Sequence, residues 1–226
     1  MQENFKLLKS VLEKLHRAGC LEHVILIGSW ASHLYERYYS SEKYRPLIRT
    51  SDVDFLIPNP RRVKAENINV GEILEDLNFV KSFNRSNGLI QYEREGLTVE
   101  FLVPEVGRGG NDPVQIKELN VTAQPLRFLN MLTEDPLIVK YEGVKVKVPD
   151  PIAYAFHKLI ISERRTKKEK QTKDYQTAMT LLRFLQSKGK QRNITSYFNS
   201  LSSGWKNKIK SVLKNGGDSD LLQSPE

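Results

Sequence analysis

The stretch TSDVDFLI (residues 50–57) limits what this chain can fold into more than any other. It reads as a β-strand, and the two-residue period puts Asp52 and Asp54 on one face and Val53, Phe55 and Ile57 on the other. An unpaired carboxylate in a buried strand is costly. Two carboxylates side by side also repel, so one keeps its proton unless a cation lies beside them. A short Asp-x-Asp has a plain structural reading as well: Asp52 caps the strand and Asp54 makes a salt bridge. The context of the motif weighs between the two.

That context comes from two other places. Glu100 lies in TVEFLV, a second β-rich run, where Val99, Phe101 and Val103 take the opposite face. If the two strands are neighbours, Asp52, Asp54 and Glu100 form one carboxylate cluster able to hold two cations. Mg²⁺ suits such a site, because it binds oxygen ligands and uses one or two carboxylates plus substrate phosphates. Upstream, the apolar run HVILIG (23–28) ends at Gly28 and Ser29, and WASHLYERYY (30–39) continues with helical spacing. A small-residue strand-to-helix turn exposes backbone N–H groups, and a helix N-terminus favours phosphate oxygens.

The rest of the chain supplies the frame. Phe5, Leu8, Leu12 and Leu15 recur at helical spacing, which predicts a helix over 3–18 ended by Gly19. A helix is expected within 63–79, then strands at 79–83, 89–94 and 97–104, and a glycine-rich loop at 107–113. Residues 114–121 read as extended, 125–132 as a short helix, and 137–148 as a hairpin turning at Glu142-Gly143. Three helical segments follow at 150–165, 174–189 and 194–214, the first capped by Asp150 with Pro151 in its first turn. The pattern predicts an α/β (α+β) fold, a mixed-sheet core over 1–149 and a helical C-terminal subdomain over 150–226.

Ordinary hydrophobic (39%) and charged (27%) fractions in 226 residues fit one generous core or two small domains. No run has the length of a membrane span. The amphipathic start, with two acidic residues, reads as neither a secretory signal nor a transit peptide, so the expected location is cytoplasmic. The single Cys20 excludes an intrachain disulfide framework and a thiolate metal cluster, and is expected as a small hydrophobe at the start of the first strand. A net charge of +8 makes anionic partners such as nucleotides and RNA plausible without selecting one.

Apolar strand, Gly-Ser turn, helix, Asp-x-Asp among hydrophobic residues and a later strand acid together resemble the nucleotidyltransferase superfamily built on the polymerase-beta-like palm. The resemblance covers roughly residues 20–105. It implies a metal-dependent transfer of an NMP from an NTP to a hydroxyl of RNA, protein or a small molecule. Asp52, Asp54 and Glu100 are then the catalytic acids and the ligands of Mg²⁺ (or Mn²⁺), and Gly28 and Ser29 hold the nucleotide. Two departures stand out: Asp52 follows Ser29 by a longer interval than usual, and the bulky Trp30 follows the Gly-Ser pair. Either could alter nucleotide entry. The alternative on the same fold is a non-catalytic nucleotide- or RNA-binding module.

A weaker resemblance, to AbiEii-like bacterial nucleotidyltransferases, runs through PDPIAYAFHKLIISERRTKKEKQTKDYQTA. It implies nucleotide-binding roles for Lys158 and for Asp174, which would open the next helix, with Arg49 as the basic residue preceding the acidic pair. On the residues alone, Lys158 also reads as a lysine snorkelling from a half-buried helix. The run 164–173 holds six basic residues, and WKNKIKSVLK sets Lys206 and Lys210 four apart on a helix face. They read either as solvated surface or, with Arg164, Arg165, Lys167 and Lys168, as a site for an RNA acceptor such as tRNA. Trp205 is expected between helices in the core.

Overall fold

In a computed structural model, the described residues are 2–41, 44–46, 51–65, 68–83, 88–107, 110 and 112–223. They cluster into two compact units, one of Met1–Tyr39 and Ile48–Pro149, the other of Ser40–Leu47 and Asp150–Glu226. No helix among the described residues is long and apolar enough to cross a membrane.

The first unit is built on a mixed sheet. Its strands are β1 (Ile25–Ile27), β2 (Asp52–Leu56), β3 (Val80–Phe83), β4 (Ile90–Arg94), β5 (Leu97–Pro104), β6 (Val114–Ile116) and β7 (Val121–Leu126). The order is β1-β2-β5-β4-β3, with β7 beside the far end of β5 and β6 on β7. The β2–β5 and β5–β7 pairs are parallel and the others antiparallel. Val53, Phe55 and Ile57 of the β2 segment and Val99, Phe101 and Val103 of β5 are all buried, with Phe55 stacked on Phe101 at 5.6 Å between ring centroids. Burying each such side chain contributes roughly 1.5–3 kcal/mol, which fixes the face on which the acids must emerge.

Helix α1 (Gln2–Arg17) buries Leu8, Leu12 and Leu15 of the expected stripe together with Val11, while Phe5 is half-buried. Helix α2 (Gly28–Tyr39) starts directly at the end of β1, and α3 (Val70–Glu75) is shorter than the pattern suggested. Cys20 lies in a buried 3-10 turn, Cys20–Glu22, ahead of the strand. The helix expected over 125–132 does not form: β7 runs to Leu126 and a 3-10 turn covers Leu129–Leu132. Pairing of Pro125 and Leu126 with β5 claims the first part of that segment, and Phe128 has a positive φ of 68° that no α-helix contains. The hairpin β8 (Leu137–Tyr141) and β9 (Val144–Val148) forms as read, its turn residues Glu142 and Gly143 both at positive φ.

The second unit is helical: α4 (Pro151–Ser162), α5 (Lys168–Ser187), α6 (Gln191–Ser200) and α7 (Ser203–Gly216). Asp150 caps α4 by accepting from the amides of Ile152 and Ala153, both at 2.9 Å. Helix α4 is buried on nearly all sides, as a central helix must be. The third expected segment is two helices, because Ser202 caps a new start by accepting from the Trp205 amide. Trp205 itself is half-buried; Ile209, Val212 and Leu213 fill the α7 core positions instead. Helix α5 opens at Lys168, so Asp174 lies inside it and half of the expected basic loop is helical.

Candidate active site

The parallel register of β2 and β5 sets Asp52 opposite Thr98 and Asp54 opposite Glu100, so all three acids share one sheet face. On the other side of β2, Ile27 pairs with Asp54, which brings the end of β1 and the start of α2 against that carboxylate. Gly28 makes this approach possible. Its φ is +69°, and a Cβ there would overlap Asp54 Oδ2 and lie 3.2 Å from Cγ. The first-turn amides of α2, with the positive end of the helix dipole, therefore begin beside the acids, and Ser29 is half-buried among them.

Strand β4 completes the row. Glu93 pairs with Thr98 and Tyr92 with Val99, and one further step of this register sets Gln91 opposite Glu100. The Gln91 amide Nε2 donates to Glu100 Oε1. Burial pushes the Glu100 carboxyl up from 4.5 to about 7, with Asp54 and then Asp52 adding to the rise, the Gln91 hydrogen bond opposing it and Glu93 adding a little. Ser51 Oγ donates to Asp52 Oδ1 at 3.2 Å. An open cavity of about 700 Å³ adjoins the Asp52 row and is lined by Ser51, Thr98, Glu93 and Glu95 among others.

Among the described residues, no three His, Cys, Asp or Glu side chains converge as a group that could close around a metal ion. The expectation of a preformed three-carboxylate cluster is therefore not met. The donor set nonetheless fits a hard divalent cation. Its ligands are all oxygen, and two paired strands hold them in register on one face. Mg²⁺ does not require an all-protein cage, since phosphate oxygens and water complete its shell.

The remaining expected residues lie elsewhere. Trp30 is buried with its ring edge-on to Phe5 at 5.2 Å, so it fills the core of the first unit. The long interval before Asp52 includes residues 40–47, which cluster with the helical unit; Tyr44 is buried there against the Phe184 ring. Arg49 lies outside the described residues.

In the helical unit Lys158 Nζ and Arg165 Nε both bond the buried Asp174, each at 2.7 Å. Burial alone would raise Asp174, but these two cations hold its carboxyl below the usual range. Beside them His157, fully enclosed, is pushed down to about 3 by burial and by Lys158. Arg164, Lys167 and Lys168 are exposed at the α4–α5 junction. On α7, Lys206 donates to Asn199 O at 3.1 Å, and Lys210 lies over the Phe198 ring at 5.9 Å.

Two residues of the acid face, Gln91 and Glu93, went unremarked in the sequence. The alternation of LIQYER around the buried Tyr92 puts both on the face away from the core, but only strand pairing shows that this face is the one bearing Glu100.

A mixed sheet with acids on adjacent parallel strands, facing a strand-to-helix turn, has the build of a nucleotidyltransferase palm. Residues 6–202 match a family model described as nucleotidyltransferase, and the chain belongs to that family. No curated protein matches it. Among solved structures, an antigenic nucleotidyltransferase-like protein from Paracoccidioides brasiliensis is similar over 97% of this chain and 92% of that one. The identity is 17% and the TM-score 0.54, a likeness of fold. The antibiotic-resistance factor ANT(2″)-Ia in solution (12% identity, 96% of this chain and 94% of that one, TM-score 0.42) is more distant. So is ANT(2″)-Ia in complex with adenylyl-2″-tobramycin (11%, 94% and 98%, TM-score 0.45). Neither likeness bears on substrate.

Proposed function

We propose that this chain transfers an NMP from an NTP to a hydroxyl acceptor, with residues 1–149 as the transferring core and 150–226 as a helical subdomain. The observation that carries this is the register of β2 and β5, which sets Asp54 opposite Glu100 and Asp52 on the same face beside the start of α2. Asp52 and Asp54 hold Mg²⁺ (or Mn²⁺), with Glu100 as a further ligand. The bound cation neutralises phosphate charge and makes the α-phosphorus more electrophilic. Gly28, Ser29 and the first-turn amides of α2 receive the β- and γ-phosphate oxygens. The acceptor oxygen bonds to the α-phosphorus as its bond to the bridging β-phosphate oxygen breaks. Pyrophosphate leaves, and the hydroxyl proton passes to Glu100 or to water. Arg49, preceding the acidic pair, is a further proposed nucleotide contact. The Lys158–Asp174–Arg165 group keeps one net positive charge after its internal pairing, which suits phosphate and is the role proposed for Lys158 and Asp174.

For the acceptor, charge distribution favours RNA. Residues 150–226 hold 15 lysines and arginines against 7 aspartates and glutamates, whereas residues 1–149 hold 20 of each, so the whole +8 lies in the helical part. Arg164, Arg165, Lys167, Lys168, Lys206 and Lys210 are the proposed contacts. A second reading, a small cationic acceptor, rests on the cavity next to the Asp52 row, whose lining has Glu93 and Glu95 against the one cation Arg94. The test is incubation with α-phosphate-labelled NTPs and Mg²⁺, offered total RNA or a small-molecule extract. Label is expected on RNA with the wild type and on nothing with Asp54→Asn, whose melting curve should remain cooperative. Label on small molecules alone supports the second reading. Equal labelling by wild type and Asp54→Asn refutes the site.

A further inference from the structure

Glu100 differs from the two aspartates in reach. It has one more rotatable bond, and holding a longer side chain in one orientation costs more conformational entropy. Something must hold it for it to serve as a ligand. Among the described residues its hydrogen-bond partner is the Gln91 amide, whose Nε2 donates to Oε1. Gln91 is itself well placed to do so. Its neighbour Tyr92 is buried and paired with Val99, and Ser82 of β3 pairs with Gln91 from the other side, so its backbone is fixed from both flanks. Glu100 thus stands between Asp54 on β2 and Gln91 on β4, across three adjacent strands.

We propose that Gln91 is a positioning residue, fixing one oxygen of Glu100 so that the carboxylate is presented as a metal ligand beside Asp54. This rests on the metal-dependent reading of the acid face. The chemistry of the amide matters here. An amide N–H donates to an unprotonated carboxylate oxygen without bringing a positive charge, whereas a lysine or arginine in its place would neutralise Glu100 and compete with the cation. An apolar residue would leave Glu100 free to turn away. Partners that orient metal ligands are commonly worth about 10–100-fold in metal affinity.

The readout is Mn²⁺ binding to the whole chain without nucleotide, by electron paramagnetic resonance titration of free Mn²⁺. Wild type, Gln91→Met, Glu100→Gln and the double variant are compared, with a melting curve for each. Gln91→Met is expected to weaken Mn²⁺ binding about tenfold. In turnover, the metal concentration for half-maximal rate should rise while the rate at saturating metal returns towards wild type. In the Glu100→Gln background, Gln91→Met should add nothing, because its effect passes through Glu100. Gln91→Leu, which also removes the donor without adding charge, should bind Mn²⁺ more weakly than wild type and serves if the Met variant does not fold. If Glu100→Gln loses Mn²⁺ affinity while Gln91→Met and Gln91→Leu keep it, or if the Met and Gln effects simply add, the positioning role is overturned and the metal reading stands. If Glu100→Gln and Asp54→Asn both bind Mn²⁺ like wild type, the metal reading fails and this role with it.

Discussion

Gly28→Ala is expected to damage both folding and catalysis through one contact. At φ +69° an alanine occupies the left-handed region, which costs about 1–2 kcal/mol for an L-residue. Its Cβ also overlaps Asp54 Oδ2, so the carboxylate must rotate off its preferred position, at about 0.5–1.5 kcal/mol. The total is about 1.5–3.5 kcal/mol. At roughly 2–4 °C per kcal/mol for a chain of this size, Tm should fall by about 3–14 °C. Displacing a reacting group by about 1 Å can cost on the order of 10²-fold in rate, so NMP transfer should drop at least that far. Two further variants separate the causes. Gly88 has a φ of +75° with no atom within 4 Å of a built Cβ, so Gly88→Ala carries the backbone cost alone and should leave transfer unchanged. Gly28→Ala combined with Asp54→Ala removes the overlap, since the nearest remaining Asp54 atom is Cβ at 3.6 Å. The double variant should be more stable than the two single effects predict when added. Scanning calorimetry and labelled-NTP turnover measure both quantities. A Gly28→Ala protein with wild-type Tm and rate would refute the close approach of α2 to Asp54.

Stability should depend on pH through Glu100. Its folded-state value near 7 lies above the ordinary 4.5, so the folded chain keeps a proton that the unfolded chain releases, and stability falls as pH rises from about 4.5 to about 7. In metal-free buffer Glu100→Gln should flatten that slope; a slope unchanged in the variant would assign it to other groups. Asp174→Ala leaves Lys158 buried without its counter-charge and should cost about 3–5 kcal/mol in denaturant unfolding, most of it regained when Lys158→Met is added. Independent, additive losses would show that the pair does not act as one unit. Neutralising Arg164, Lys167 and Lys168 to Gln should weaken RNA binding and lower the salt slope by about 0.7–0.9 per lost contact. Arg165 is left in place because it holds Asp174. Equal slopes for variant and wild type would remove this surface from the RNA site.

The sequence by itself determined which residues had to leave the core. Asp52, Asp54 and Glu100 alternate with Val53, Phe55, Val99 and Phe101, and a period-two pattern with one buried face allows a single outward side. Local chemistry was equally legible where it was short-ranged: the Asp150 cap, the Glu142-Gly143 turn and the apolar stripe of α1 all formed as read. What the pattern could not decide were matters of partnership between distant segments. Residues 125–132 carry helical spacing, but pairing with β5 draws Pro125 and Leu126 into a strand. Lys158 and Asp174, sixteen residues apart, are each other's partners because α4 and α5 pack together. Trp30 points into the core against Phe5, although its place after Gly28-Ser29 suggested the nucleotide's path. Gln91 meets Glu100 across the local β4–β5 hairpin, but Asp54 reaches Glu100 only because β2 pairs with β5, a strand more than forty residues on. Periodicity is a property of neighbouring residues and is written locally. Strand order and ion pairing are set by which long-range burial is most favourable, and only the folded chain displays that choice.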